Sequence, residues 1–275
     1  MRIFRSGLRK LVGRPASIVT VGLLSGLLVL IIVATAAVSQ RSGTPRAQAE
    51  ALLLVTFPGA YDIILSFILG LGGLFAVIYG AAIAGSEWGW GTLKNAVARG
   101  ESRSRYMLLS FAAISVMVAV GLGLTFVIGV VAAIAGATIA NVPTTGLSDA
   151  ATLGRLPEEF LRGWFAVTEE AALGFAIATL ARSQLAGIGA GIAFYFGETF
   201  ATLFLPDIVK YLPFAVARAS VAISGSAAAA ANGGGGPGAA ASLGDANTAL
   251  VLVGVWLVGS LVVALGFTER AEITG

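Results

Sequence analysis

Six runs of apolar residues, each long enough to cross a lipid bilayer, constrain the fold of this chain more than any other feature. A bilayer core about 30 Å thick needs about 20 apolar residues in a helix, because an unpaired backbone group in lipid costs several kcal/mol. We therefore expect an all-α, polytopic membrane protein with six transmembrane helices in a single domain, residues 1–275. The runs cover residues 17–38, 63–84, 106–135, 163–181, 183–205 and 248–267.

The composition is typical of a membrane protein and excludes most kinds of enzyme chemistry. Hydrophobic residues make up 57% of the chain and charged residues 11%, against about 25% charged residues in an average soluble domain. The chain contains no cysteine and no histidine, which excludes disulfides, thiol nucleophiles and imidazole bases. We expect no catalytic residue, cofactor or metal site on this chain.

The distribution of positive charge predicts the orientation of the chain. Eleven of the 17 Lys and Arg residues lie on the side of the six runs that carries both termini and residues 85–105. By the positive-inside rule that side is cytoplasmic, which predicts a multi-pass protein of the cell membrane with both termini inside. The basic residues adjoin the apolar runs, so they favour contact with the lipid bilayer over binding to nucleic acid.

Three segments outside the six apolar runs each have a distinct sequence pattern. Residues 1–16 alternate apolar and basic positions with helical spacing, typical either of a helix lying in the membrane interface or of a simple positive flank. Residues 205–214 contain two prolines and predict a short re-entrant or interfacial helix. Residues 225–244 are rich in Gly and Ala, which predicts a flexible loop outside the cell.

The loop after the second run contains a short amphipathic pattern. Trp90, Leu93 and Val97 recur with helical spacing, while Lys94 and later arginines remain on the polar side. Two interpretations are open: a cytoplasmic helix that binds a partner, or a positively charged loop with an aromatic anchor.

The same loop resembles the signature region of ATP-binding-cassette exporter permeases of the type-2 class. The matching residues are Glu87, then Gly91, Thr92 and Leu93, and then Ser102 with Arg103. The similarity extends to the plan of the chain, with an N-terminal amphipathic helix, six spans and a loop after the second span. The match departs at Gly100 and Glu101, where the family commonly has a proline, and at Ser110, near where a Gly-Lys pair often opens the third span.

The resemblance implies a partner and an energy source. In that family the loop carries a coupling helix that docks on a separate ATPase subunit, which holds ATP and Mg²⁺, and permeases pair as homodimers or with a similar permease. None of the three lysines here follows a glycine, so the chain has no GxxxxGK[ST] phosphate loop of its own. The coupling residues implied are Glu87, Trp90, Gly91, Thr92, Leu93, Val97 and Arg103.

Three glutamates interrupt the fourth and fifth runs, namely Glu169, Glu170 and Glu198. Ionisable residues inside a membrane are costly and face protein or water, which makes these three candidates for a transport pathway. The alternative is an interfacial glutamate that reaches outward or pairs with Arg162. In the fifth run, Gly187 and Gly191 stand four residues apart and predict close helix packing, within the chain or across a dimer.

The predicted function is the membrane-spanning subunit of an ATP-driven exporter. Two other functions stay open at this point. One is a secondary transporter that uses the three glutamates as proton or cation sites, although such transporters normally contain internal repeats. The other is an accessory subunit of a membrane complex that transports nothing.

Overall fold

A computed structural model describes residues 2–39, 48, 52–221 and 245–271. These residues form helices and no strand, which confirms the all-α prediction for this part of the chain. The helices are α1 (Arg2–Val12), α2 (Pro15–Ser39), α3 (Gly59–Gly89), α4 (Thr92–Ala98), α5 (Arg103–Ala140), α6 (Ala150–Ala181), α7 (Gln184–Ala201), α8 (Pro206–Val209), α9 (Pro213–Ala219) and α10 (Ala246–Arg270), with a 3₁₀ turn at Thr145–Ser148.

Among the described residues, five helices are long and apolar enough to cross a membrane, namely α2, α3, α5, α6 and α10. Their mean hydropathies lie between 1.3 and 2.7. The chain is therefore a multi-pass membrane protein.

Two of these helices extend well beyond the apolar runs that predicted them. Residues 106–135 form part of the longer α5, and residues 163–181 form only the second half of α6.

The predicted fifth span at residues 183–205 corresponds to a shorter helix. Helix α7 has 18 residues and ends at Ala201, after which the chain turns into the short helices α8 and α9. These two helices occupy the segment that the prolines marked as re-entrant or interfacial. The predicted loop at 225–244 lies outside the described residues.

Helices α3 and α6 approach closely through reciprocal glycine contacts. A Cβ atom built on Gly80 would lie 2.1 Å from the backbone oxygen of Ala171, and one on Gly174 would lie 2.1 Å from that of Val77. Because small residues let helix backbones meet, these positions bring α3 and α6 into close contact where residues 77–80 face residues 171–174.

The glycine pair of α7 also packs within this chain. A Cβ on Gly187 would lie 2.4 Å from the Ala178 Cβ of α6, and one on Gly191 would lie 2.4 Å from the Val77 Cγ1 of α3. Gly187 and Gly191 therefore seat α7 against the α3–α6 pair.

Two aspartates cap helices α6 and α10. The Asp149 carboxylate accepts hydrogen bonds from the backbone N–H and hydroxyl of Thr152, and these bonds lower the pKa of Asp149. Asp245 accepts from the hydroxyl and backbone N–H of Thr248 and from the backbone N–H of Asn247, which likewise lowers the pKa of Asp245. Both caps satisfy N–H groups that have no partner within the helix, so they define where α6 and α10 begin.

Candidate functional site

The carboxylate of Glu87 is buried at the end of α3 and joins the N-terminal helix to it. Lys10 Nζ, on α1, donates a hydrogen bond to Glu87 Oε1 at 2.6 Å. Arg14, which follows α1, has its Nη2 atom 3.7 Å from the same oxygen and donates from Nη1 to Ser86 Oγ at 2.9 Å. Two cations from the N-terminal segment thus compensate one buried carboxylate, as burial of a charge requires.

Two hydroxyl groups complete the shell of Glu87. Tyr106, near the start of α5, donates to Glu87 Oε2 at 2.6 Å, and Thr92, at the start of α4, donates to the same oxygen. We call Lys10, Arg14, Glu87, Thr92 and Tyr106 the Glu87 cluster. Hydrogen bonds to a charged group are stronger than neutral ones, so the cluster holds the N-terminal segment, α3, α4 and α5 at one junction.

The turn into α4 depends on Gly91. This residue has φ +64°, a left-handed conformation that glycine adopts without the steric cost of a Cβ atom. The turn exposes Trp90, whose side chain is 66% exposed, and brings the Arg14 guanidinium to 5.0 Å from the Trp90 ring. Such a cation–π contact stabilises the exposed ring.

The apolar face of α4, which its sequence pattern suggested for contact with a partner, packs against other helices of this chain. Leu93 is only 2% exposed and packs into the core of this chain, and Val97 is half-buried. The exposed polar residues are Lys94 and Asn95 on α4 and Arg99 directly after it. A partner that binds α4 in this conformation meets Trp90 and these polar side chains.

Arg103, at the start of α5, joins α5 to the end of α10. Its Nη1 atom donates to the backbone oxygen of Ala271 at 2.8 Å, and Ser104 N donates to Glu269 Oε1 at 3.0 Å. The predicted coupling residues Glu87, Thr92 and Arg103 therefore all bind other helices of this chain.

The three glutamates Glu169, Glu170 and Glu198 lie in one region between α6 and α7. Glu169 is 0% and Glu170 1% exposed, and both interact electrostatically with Glu198. A Cβ on Gly73 would lie 2.1 Å from Glu170 Oε2, so the glycine on α3 creates the space for this carboxylate. Arg162 pairs with Glu158 at 2.8 Å and with Asn247, and the Glu169 oxygens accept no hydrogen bond from it in this conformation.

Glu198 differs from the other two because it has partners on α9. Its Oε2 atom accepts from Phe214 N at 3.2 Å, and Arg218 Nη2 lies 3.8 Å from Oε1. Glu198 thus ties the end of α7 to the short helix that follows. We call Glu169, Glu170, Glu198 and Arg218 the carboxylate cluster.

The carboxylate oxygens of Glu169 and Glu170 are buried without a hydrogen-bond partner among the described residues. Buried polar atoms without partners are uncommon and costly. Within the described ranges, no group of three or more acidic, His or Cys residues lies close enough to hold a metal ion. The cluster can accept protons or a positively charged group of a ligand.

Four residues of these clusters were not predicted as site residues from the sequence: Lys10, Arg14, Tyr106 and Arg218. In the sequence Lys10 and Arg14 form part of a basic flank, and Tyr106 marks the start of an apolar run. One signal was available, since a glutamate at the end of an apolar span needs a cation nearby and the basic N-terminal segment supplies several.

The chain matches no model of a known protein family, and no curated protein sequence matches it either.

Proposed function

We propose that this chain is the membrane-spanning permease subunit of an ATP-driven exporter, of the type-2 class of ATP-binding-cassette transporters. The observation that carries the proposal is the Glu87 cluster. It binds the N-terminal segment, α3, α4 and α5 into one junction beside an exposed surface of Trp90, Lys94 and Arg99. A permease needs such a junction to convert movement of an ATPase into movement of its spans.

The proposal includes six spans, with α7 as the fifth. Its 18 residues extend about 27 Å, close to the thickness of a bilayer core. With six crossings both termini lie on the same side, and the positive-inside rule makes that side the cytoplasm of a cell or bacterial inner membrane. Helix α1 then lies in the cytoplasmic interface, and α4 is the coupling helix.

In this proposal ATP hydrolysis takes place on a separate chain. The absence of a glycine before any of the three lysines excludes a phosphate-binding loop of the GxxxxGK[ST] type in this sequence. ATP and Mg²⁺ therefore bind to the partner ATPase. Two permeases, identical or similar, pair above two ATPase subunits, and substrate leaves through the path between them.

The carboxylate cluster is the proposed contact of the pathway with substrate. Glu169, Glu170 and Glu198 contribute three carboxyl groups, and among the described residues Arg218 is the cation that lies close to them. Carboxyl groups in excess of cations favour a positively charged substrate group when the pathway is open to water. In the conformation described here the cluster is closed, because Glu169 and Glu170 are fully buried.

A second candidate is a secondary transporter, and one observation favours it. Buried carboxylates without partners, as in Glu169 and Glu170, are common where protons or cations drive transport. In that case transport follows an ion gradient and needs no ATPase. An accessory subunit without transport activity is a third candidate.

Purification of the tagged full-length chain from its native membranes distinguishes these functions. We expect a P-loop ATPase to co-purify, identified by mass spectrometry, and the complex to hydrolyse ATP. The Trp90→Ala variant should lose the ATPase, whereas Phe204→Ala, which changes an exposed aromatic residue at the far end of α7, should retain it. Equal recovery of ATPase with both variants would refute docking at Trp90. Gradient-driven uptake by vesicles of the chain alone would favour the secondary transporter.

A further inference from the structure

A polar cavity of about 320 Å³ lies where α1, α3, α4 and α5 meet. Its volume equals that of about ten water molecules at about 30 Å³ each, and a phosphate headgroup fits within it. It lies beside the Glu87 cluster but extends past it to the exposed side of α4. The polar lining includes Ser6, Lys10, Glu87, Asn95, Arg99 and Ser110.

The charged groups in this cavity that can still form hydrogen bonds are donors, on Lys10 and Arg99, and the serine and asparagine side chains add neutral polar groups. Glu87 is the one carboxylate in the lining, and both of its oxygens already accept hydrogen bonds, from Lys10 on one side and from Tyr106 and Thr92 on the other. An ammonium group has three N–H donors and a guanidinium group has five. Lys10 uses one of its donors on Glu87.

The net charge around the cavity is positive. Lys10 and Arg14 both lie beside Glu87, so two positive charges surround the one negative charge of its carboxylate. Arg99 adds a further positive charge to the lining, and this residue is exposed. A partly enclosed space with spare donors and excess positive charge favours an anion, and phosphate oxygens suit guanidinium donors best.

We propose that this cavity binds the phosphate group of an anionic phospholipid from the cytoplasmic leaflet, with Arg99 and Lys10 as its cationic ligands. The amphipathic helix α1 forms one wall, and such helices lie at the level of lipid headgroups. Basic pockets between helices on the cytoplasmic side bind anionic headgroups. A soluble phosphate compound has the same chemistry and is the other source of the ligand.

A bound phosphate joins α4 to α1 directly. Asn95 lies on α4 and Arg99 directly follows it, and Lys10 and Ser6 lie on α1. The ligand therefore stiffens the junction that the Glu87 cluster forms, and anionic lipid becomes a regulator of the surface around Trp90. The inference concerns this chain alone and holds whether or not an ATPase binds to it.

Native mass spectrometry of the purified full-length chain tests the site. Phosphatidylglycerol should bind more tightly than phosphatidylcholine of the same acyl chains, and Arg99→Gln should reduce that preference about fivefold. Asn95→Asp keeps the shape of its side chain and adds a negative charge to the lining, so it should act in the same direction. Both residues are exposed, so neither variant should affect folding.

The matched control is Arg9→Gln, which removes a positive charge from an exposed position on α1 outside the cavity lining. This variant should keep the lipid preference. Glycerol 3-phosphate as a competitor separates the two sources: displacement of phosphatidylglycerol assigns the site to soluble phosphates, and failure to displace it assigns the site to the lipid. Equal affinity for the two lipids in the unmodified chain, or an equal effect of Arg9→Gln and Arg99→Gln, would overturn the proposal.

Discussion

Lys10 Nζ lies 2.6 Å from Glu87 Oε1, although 77 residues separate the two in the sequence. This ion pair fastens the N-terminal helix to the end of the second membrane-spanning helix. Because Glu87 also accepts from Thr92 and Tyr106, a change at this carboxylate reaches four helices at once.

The first prediction concerns the strength of this pair. In a double-mutant cycle with Lys10→Met and Glu87→Gln, we expect a coupling energy of about 1 to 3 kcal/mol in the free energy of unfolding, because a hydrogen bond to a charged group is lost. Unfolding of the purified chain in micelles measures it. Effects that add within about 0.5 kcal/mol would show that the two residues do not interact.

The second prediction separates the two faces of α4. Leu93→Asp should reduce the free energy of unfolding by about 3 to 5 kcal/mol, because it introduces a carboxylate into a buried apolar position. Trp90→Ala should cost less than about 1 kcal/mol, since it removes an exposed ring and its contact with Arg14. Thermal unfolding of both variants provides the measurement. A stable Leu93→Asp protein would contradict the burial of this face.

The third prediction tests the packing of Glu170 against α3. Gly73→Ala should destabilise the chain by about 1 to 3 kcal/mol, because the added methyl group overlaps the Glu170 carboxylate. Shortening the opposing side chain with Glu170→Ala should restore most of that loss in the double variant. Gly70→Ala, three residues earlier on α3 and with open space around it, is the matched control. A cost for Gly73→Ala that persists in the double variant would refute this contact.

The fourth prediction assigns different roles to the glutamates. Glu198→Ala should lower the free energy of unfolding by about 1 to 3 kcal/mol, because Phe214 N loses its acceptor. Glu198→Gln keeps an acceptor and should fold normally, as should Glu169→Gln and Glu170→Gln, since those carboxylates lose no partner.

Transport in vesicles with the partner ATPase completes the comparison. We expect the three glutamine variants to alter transport, with the largest change for cationic substrates. Full activity of all three toward every substrate would remove the carboxylate cluster from the pathway.

The fifth prediction concerns orientation. The chain has no native cysteine, so single cysteines report on topology without interference. Ser102, between α4 and α5, and Ser148, between α5 and α6, are both exposed. In intact cells a membrane-impermeant thiol reagent should label a cysteine at position 148 and leave one at position 102 unmodified. The reverse pattern would refute the cytoplasmic position of α4.

The membrane class and most of the helices could be predicted from the sequence, but several helix ends could not. Apolar runs identified α2, α3, α5, α6 and α10 because each must satisfy its backbone hydrogen bonds in lipid. The run at 163–181 missed the first half of α6, which begins at Ala150. Helical hydrogen bonds continue through polar sequence, so the end of an apolar run does not mark the end of a helix.

Which residues meet was decided by the tertiary structure alone. A span that is apolar on all sides does not indicate which side faces protein and which faces lipid. The charge distribution in the sequence therefore predicted that Glu87 and the basic N-terminal segment lie on the same side of the membrane, whereas packing decided that Lys10 and Arg14 bind Glu87. Packing likewise turned Leu93 inward and brought Glu170 against Gly73, because these contacts depend on how whole helices fit together.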